Sequence, residues 1–148
     1  MNATPRELLR RYHRAMIDKS ADDLADLYAV DAVHEFPFRV PGWPARLDGQ
    51  EEIRALYHAA WDPSPVTLAE ISDVVVHEAA DPEVVVGEWR SAGTIGPEGR
   101  PFQASGLLML RARNGEIVEM RDYMDVFGTF GAMGRLNDIA ATLGESPS

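Results

Sequence analysis

Cysteine is absent from the 148 residues, which excludes a disulfide framework and a thiolate nucleophile. Nowhere does an apolar run reach the length that crosses a bilayer. Positive charge is scarce. Lys and Arg number 14 against 24 Asp and Glu, a formal charge of -10. Nucleic acid and anionic membranes are bound by neutralising phosphates with Lys and Arg, so this balance argues against both as partners. The first residues, MNATPRELLRRYH, hold no charged segment leading into an apolar run. With the missing cysteines, that sets an expectation of a cytoplasmic protein. The four histidines are too scattered to suggest a zinc site, and no G-x-S-x-G elbow or phosphate-cradling glycine loop occurs. No metal or cofactor is expected.

What is present suits one domain over 1–148, with a core over about 7–134 and a tail over 135–148. TPRELLRRYHRAMIDKS opens as a helix. Thr4 is placed to cap it, Pro5 fits its first turn, and Glu7 completes a capping box. Ser20 and Asp23 start a second short helix through Leu24, Leu27 and Tyr28. DAVHEFPF reads as a strand, the Pro- and Gly-rich RVPGWPARLDG as a loop, and Gln50–Trp61 as a third helix. Strands are predicted near Thr67–His77, Val84–Thr94, Phe102–Arg113 and Glu116–Asp125, with a hairpin turn at Asn114-Gly115. One or two short helices fit Phe127 to Leu143, and the closing GESPS is expected to fray. Helices first and long antiparallel strands afterwards predict an α+β fold, with about three N-terminal helices covering a curved, mostly antiparallel sheet.

Side chains alternate faces along a strand, so parity sorts the polar residues. In EIVEMRDYMD one face carries Ile117, Glu119, Arg121 and Tyr123. The other carries Val118, Met120, Asp122 and Met124, which sets one carboxylate on an apolar face. A buried carboxylate is costly unless it is hydrogen-bonded or protonated. The same parity puts His34 with Ala32, Phe36 and Phe38, and Ser91 with Trp89 and Val85. The candidate catalytic residues are therefore Asp122, His34, Tyr12 and Ser91. Phe36, Trp43, Tyr57, Trp61, Trp89 and Met120 are the candidate walls of an apolar substrate pocket. His13, His58 and His77 are expected at the surface or its boundary. Ile117, Tyr123, Glu88 and Arg90 are expected on an outer sheet face that packs against a second copy in a homodimer.

The segments YAVDAVHEFPF, LDGQEEIRALY and NGEIVEMRDYMD, in that order, resemble the nuclear-transport-factor-2-like (NTF2-like) superfamily. More narrowly they are similar to its SnoaL-like polyketide cyclase group, over about Glu7 to Gly134. That resemblance implies a cone-shaped α+β barrel. It spans isomerases, cyclases, epoxide hydrolases, dehydratases and non-catalytic binders, so fold does not fix function. Ketosteroid isomerases carry a catalytic Tyr that matches Tyr12, but their general-base Asp falls on Phe36 and their oxyanion Asp near Leu108 to Leu110. Limonene-epoxide hydrolases share a segment similar to RDYMD, whose first Asp matches Asp122. The rest of their acid–base set falls on Trp89 and Ser91, and their water-holding Tyr on His34. DPEVVVGEWRSAG and NGEIVEMRDYMDVFGTF resemble phenazine biosynthesis proteins of the A/B type, whose acid/base Glu falls on Asp122.

These resemblances imply cofactor-free acid/base chemistry on a small hydrophobic or aromatic metabolite: cyclisation, isomerisation, dehydration or condensation. A non-catalytic binding or accessory protein using the same cavity, an epoxide-hydrolase-like hydrolase and a dimer with a filled cavity remain the alternatives.

Overall fold

The computed structural model describes residues 2–144. Helix α1, Pro5–Asp18, begins as its sequence predicts. The Thr4 hydroxyl accepts from the Glu7 amide at 3.2 Å, and the Glu7 carboxylate accepts from the Thr4 amide at 3.1 Å. The helix stops at Lys19, whose φ of 55° turns the chain left-handed. Leu8, Leu9, Tyr12 and Ala15 form its buried stripe. His13 is buried as well, against the expectation of a boundary residue, because its ring packs beside Trp89 on the sheet, centroids 6.3 Å apart.

Helix α2, Ala21–Ala25, is capped by Ser20 as expected but is shorter than predicted. Tyr28, assigned to it by helical spacing, instead opens strand β1, Tyr28–Glu35. A short strand β2, Arg46–Asp48, lies in what reads as pure loop and pairs antiparallel with β1, His34 opposite Leu47. Helix α3 is Gln50–Trp61 as predicted. Four long strands follow: β3 Val66–Glu78, β4 Val84–Ile95, β5 Arg100–Arg113 and β6 Glu116–Met124. Asn114 and Gly115 join β5 to β6 with φ values of 54° and 80°, the left-handed pair that a two-residue hairpin needs. Helices α4, Val126–Ala132, and α5, Leu136–Leu143, close the described chain. Residues 145–148, most of the segment expected to fray, lie outside it.

The strands form one curved sheet in the order β2-β1-β6-β5-β4-β3. Every neighbouring pair is antiparallel except β1 with β6, which run parallel. The core lies between this sheet and helices α1, α2 and α3.

Bulges decide which residues face it. In β6 the register with β5 jumps so that Arg111 opposes Glu119 and Ala112 opposes Ile117. Val118 is the extra residue, and Ile117, Met120 and Asp122 all point inward. Ile117 is therefore fully buried, and its expected place on the outer face is corrected. Glu88 and Arg90 are exposed on that face as expected, and Tyr123 is half-buried. Phe38 also departs from parity. β1 ends at Glu35, alternation lapses beyond it, and Phe38 sits 58% exposed against the Tyr123 ring.

Candidate functional site

Five polar side chains from four elements meet inside the core. Tyr12 comes from the buried stripe of α1, Tyr57 from α3, Tyr28 and His34 from β1, and Asp122 from β6. The Tyr28 hydroxyl lies 2.7 Å from His34 Nδ1, the Tyr57 hydroxyl 3.4 Å from His34 Nε2, and the Tyr12 hydroxyl 3.2 Å from that of Tyr57. This makes one chain, Tyr28–His34–Tyr57–Tyr12. All three tyrosines lie close enough to Asp122 for its charge to act on them.

The cluster is buried, and that governs its charge states. Burial pushes His34 down to about 3, so its imidazole is neutral at neutral pH. Burial pushes the Asp122 carboxyl up to about 7. Burial also raises Tyr12, Tyr28 and Tyr57 well above the usual phenol range. The Asp122 charge reinforces this at all three. Asp122 Oδ1 is buried without a hydrogen-bond partner among the described residues.

A neutral imidazole has one N–H donor and one acceptor nitrogen. One flanking hydroxyl must therefore donate to His34 while the other accepts. The chain has two proton orderings, and passing from one to the other moves a proton's worth of charge along it. In the ordering where Tyr28 donates to Nδ1, Nε2–H donates to Tyr57, Tyr57 donates to Tyr12, and the Tyr12 hydroxyl proton is left over. Asp122 is then an acid or base of near-neutral pKa beside a Tyr12 hydroxyl that can donate to a developing oxyanion.

Beside this cluster is a cavity of about 450 Å³. Trp43, Trp61, Trp89 and Ser91 line it. Asp122, His34, Tyr12 and Tyr57 do not. An aromatic layer stands between. The Tyr57 ring packs edge-on against Trp43 and Trp61, at 6.1 and 4.8 Å, while its hydroxyl joins the polar chain. Phe36 bridges similarly, 4.6 Å from the His34 ring and 5.0 Å from Trp43. Met120 is fully buried within the core. Ser91 donates its hydroxyl to the Ala104 carbonyl directly across the β4–β5 pair, at 3.2 Å. Among the described residues, no group of three or more His, Asp or Glu side chains could hold a metal ion.

Sequence reasoning brought Asp122, His34, Tyr12 and Ser91 together as interior polar groups, and placed Tyr57 only as a wall; Ser91 lies apart from the other three, in the cavity wall. It missed Tyr28. The available signal was parity with His34, obscured because the residues between them break register with β6.

The described residues contain no helix long and apolar enough to cross a membrane. The sequence matches the SnoaL-like domain over residues 9–120. An uncharacterized PhzA/B-like protein of Pseudomonas aeruginosa is 32% identical over 134 residues, covering 90% of this chain and 92% of that protein. A Bacillus subtilis structure provisionally named an isomerase superposes with a TM-score of 0.78 at 27% identity, over 88% of this chain and 93% of that one. A Catenulispora acidiphila protein with a ketosteroid isomerase-like fold, solved with trimethylamine, superposes at 0.69 and 22% identity, over 89% and 95%. Structures provisionally named polyketide cyclases and an NTF2-like protein of Anabaena variabilis share the fold. The chain belongs to the SnoaL-like domain family and has that family's NTF2-like α+β fold.

Proposed function

We propose that this SnoaL-like protein performs cofactor-free acid/base chemistry on a small hydrophobic or aromatic metabolite, with Asp122 as the acid or base. One observation carries the reading. Asp122 is buried in the core with Oδ1 unpartnered among the described residues and a carboxyl raised to about 7, beside three tyrosines linked through a neutral His34. A structural carboxylate would be expected to hold a full set of donors. Asp122 as carboxylate takes a proton from a carbon next to a carbonyl. The Tyr12 hydroxyl, whose proton is the one left over, donates to the enolate oxygen, and the carboxylic acid returns the proton at a second carbon or at an oxygen. Isomerisation puts that proton on a second carbon and dehydration puts it on a leaving oxygen; in cyclisation and condensation the enolate carbon first bonds to a second carbonyl carbon, whose oxygen then takes the proton. A substrate in the cavity meets Asp122 when the Trp43, Tyr57 and Trp61 rings part. The proposal includes a homodimer through the outer face that carries Glu88, Arg90 and Tyr123. Sedimentation that finds only monomer at roughly tens of micromolar removes that part.

The test is deuterium exchange of the protons next to the carbonyl of α-tetralone, followed by NMR in heavy water. Wild type accelerates exchange over buffer, and Asp122→Asn slows it by about two to four orders of magnitude. No acceleration by wild type, or equal acceleration by both proteins, removes Asp122 from this role. The second reading is a binding protein without chemistry. It is favoured by the place of Asp122 outside the cavity wall.

A further inference from the structure

We propose that the cavity selects ring-bearing carboxylates, and that Lys19 is the residue that reads the carboxylate. The inference rests on the cavity being the substrate site, as above, but not on the chemistry assigned to Asp122.

The chain carries 24 acidic residues, yet none among the described residues lines the cavity. Two cations do, Lys19 and Arg135. Arg135 is already engaged: it pairs with Asp138 at 2.7 Å and stacks over Phe130 at 4.9 Å. Lys19, the only lysine in the sequence, has no such ion pair among the described residues. Its Nζ donates to the Ser64 carbonyl at 2.5 Å and meets no carboxylate among the described residues. An ammonium has three donors, so two are left for a ligand. Lys19 stands at the end of α1, where the left-handed turn brings it against the loop that follows α3.

Two more donors in the wall lack acceptors. The Trp89 indole N–H and the Thr129 hydroxyl are buried with no partner among the described residues, and both residues line the cavity. The wall is short of negative charge and of acceptors, and a carboxylate supplies both. All three tryptophans of the chain also line the cavity, so the remainder of the ligand is matched by flat aromatic surface. A carboxylate joined to an aromatic or alicyclic ring, directly or by a short chain, satisfies both halves. A neutral ring satisfies one.

The test titrates phenylbutyrate and its neutral isostere phenylbutyramide into the full chain, reading tryptophan fluorescence. Quenching reports occupancy because every tryptophan is in the wall. Wild type binds the carboxylate about tenfold more tightly than the amide, from the strength of a charge-assisted bond. The preference shrinks as salt is added. Lys19→Gln brings the two affinities together, Lys19→Arg restores the gap, and Arg135→Gln leaves it in place. Asp122→Asn also leaves it in place, so failure of the exchange assay and failure of this selectivity are separate results. Equal affinities in wild type, binding of neither probe, or a preference that survives Lys19→Gln overturns the proposal. If Lys19→Gln does not fold, the wild-type acid–amide comparison and its salt dependence decide alone.

Discussion

The Tyr28 hydroxyl and His34 Nδ1 lie 2.7 Å apart in the core, held by one strand whose register breaks between them. Both side chains are fully buried. Burial keeps bulk solvent from replacing either partner. Tyr28→Phe therefore leaves the imidazole nitrogen unpaired, and should cost about 1–3 kcal/mol in urea unfolding. A loss within error would mean that this bond contributes nothing to the cluster.

Asp122 gives a pH dependence of definite sign. Its carboxyl is raised from 3.8 to about 7 by burial. Within that window the unfolded chain has released the proton and the native chain keeps it. The group's contribution to stability is thus fully present below about pH 4 and is lost as pH rises through about 7. Asp122→Asn has no such slope. Relative to wild type, the variant should gain stability across the window, by up to about 4 kcal/mol at its top. Urea unfolding of both proteins from pH 4 to pH 8 checks it. A variant less stable than wild type throughout would make Asp122 a structural anchor.

His13 and His34 slope the other way. Burial lowers them from 6.5 to about 4 and about 3. Their neutral forms stabilise the native state fully above pH 6.5, and that contribution is lost as pH falls through those values. His13 Nε2 has no partner among the described residues. His13→Leu should therefore leave stability near pH 7 unchanged or raised by about 1 kcal/mol, and should flatten the acid limb. NMR titration of the histidine rings should show both native imidazoles neutral at pH 5.

Gly93 tests the close approach of β3 to β4. A β-carbon there would overlap the Thr67 carbonyl oxygen and come within 2.8 Å of the Leu68 Cα. Both are backbone atoms in the paired strand, so nothing flexible can yield. Gly93→Ala should lower stability by about 1–3 kcal/mol in a thermal or urea melt. Gly87→Ala is the control. Its nearest neighbour is the Leu9 side chain, which can rotate, and the loss should be smaller.

Most of the architecture is legible in residue pattern. The Thr4–Pro5–Glu7 cap, the Asn114-Gly115 turn and the apolar alternation of the long strands each have a local cause, and each appears where the sequence puts it. Parity also found the inward aim of His34, Ser91 and Asp122. It failed at irregularities. Ile117 faces inward because Val118 is an extra residue, and a bulge depends on the partner strand rather than on its own sequence. Tyr28 was hidden by the same kind of slip and by its fit to a helical stripe. β2 is only three residues long and lies in a Pro- and Gly-rich stretch, too short for alternation to show. His13 required knowing that Trp89 would sit over it. The separation of the polar cluster from the cavity by Trp43, Tyr57 and Trp61 comes from ring packing between distant segments, which no periodicity records.

The parallel seam between β1 and β6 sets the order in which this molecule can be made. Tyr28 pairs with Ile117 and His34 with Met120, so the interior of the sheet joins an early strand to the last one. That join closes a loop running through most of the chain, a large entropic cost met before its contacts return anything, and a reason to expect slow folding. On the ribosome, Tyr12, Tyr28, His34 and Tyr57 emerge first and stay hydrated. β1 meanwhile offers an open edge, and a nascent chain in that state needs shielding from its neighbours. The strand that seals the edge is the one that carries Asp122. Completing the sheet and drying the carboxylate are thus a single late event, and a chain that ends before β6 has neither.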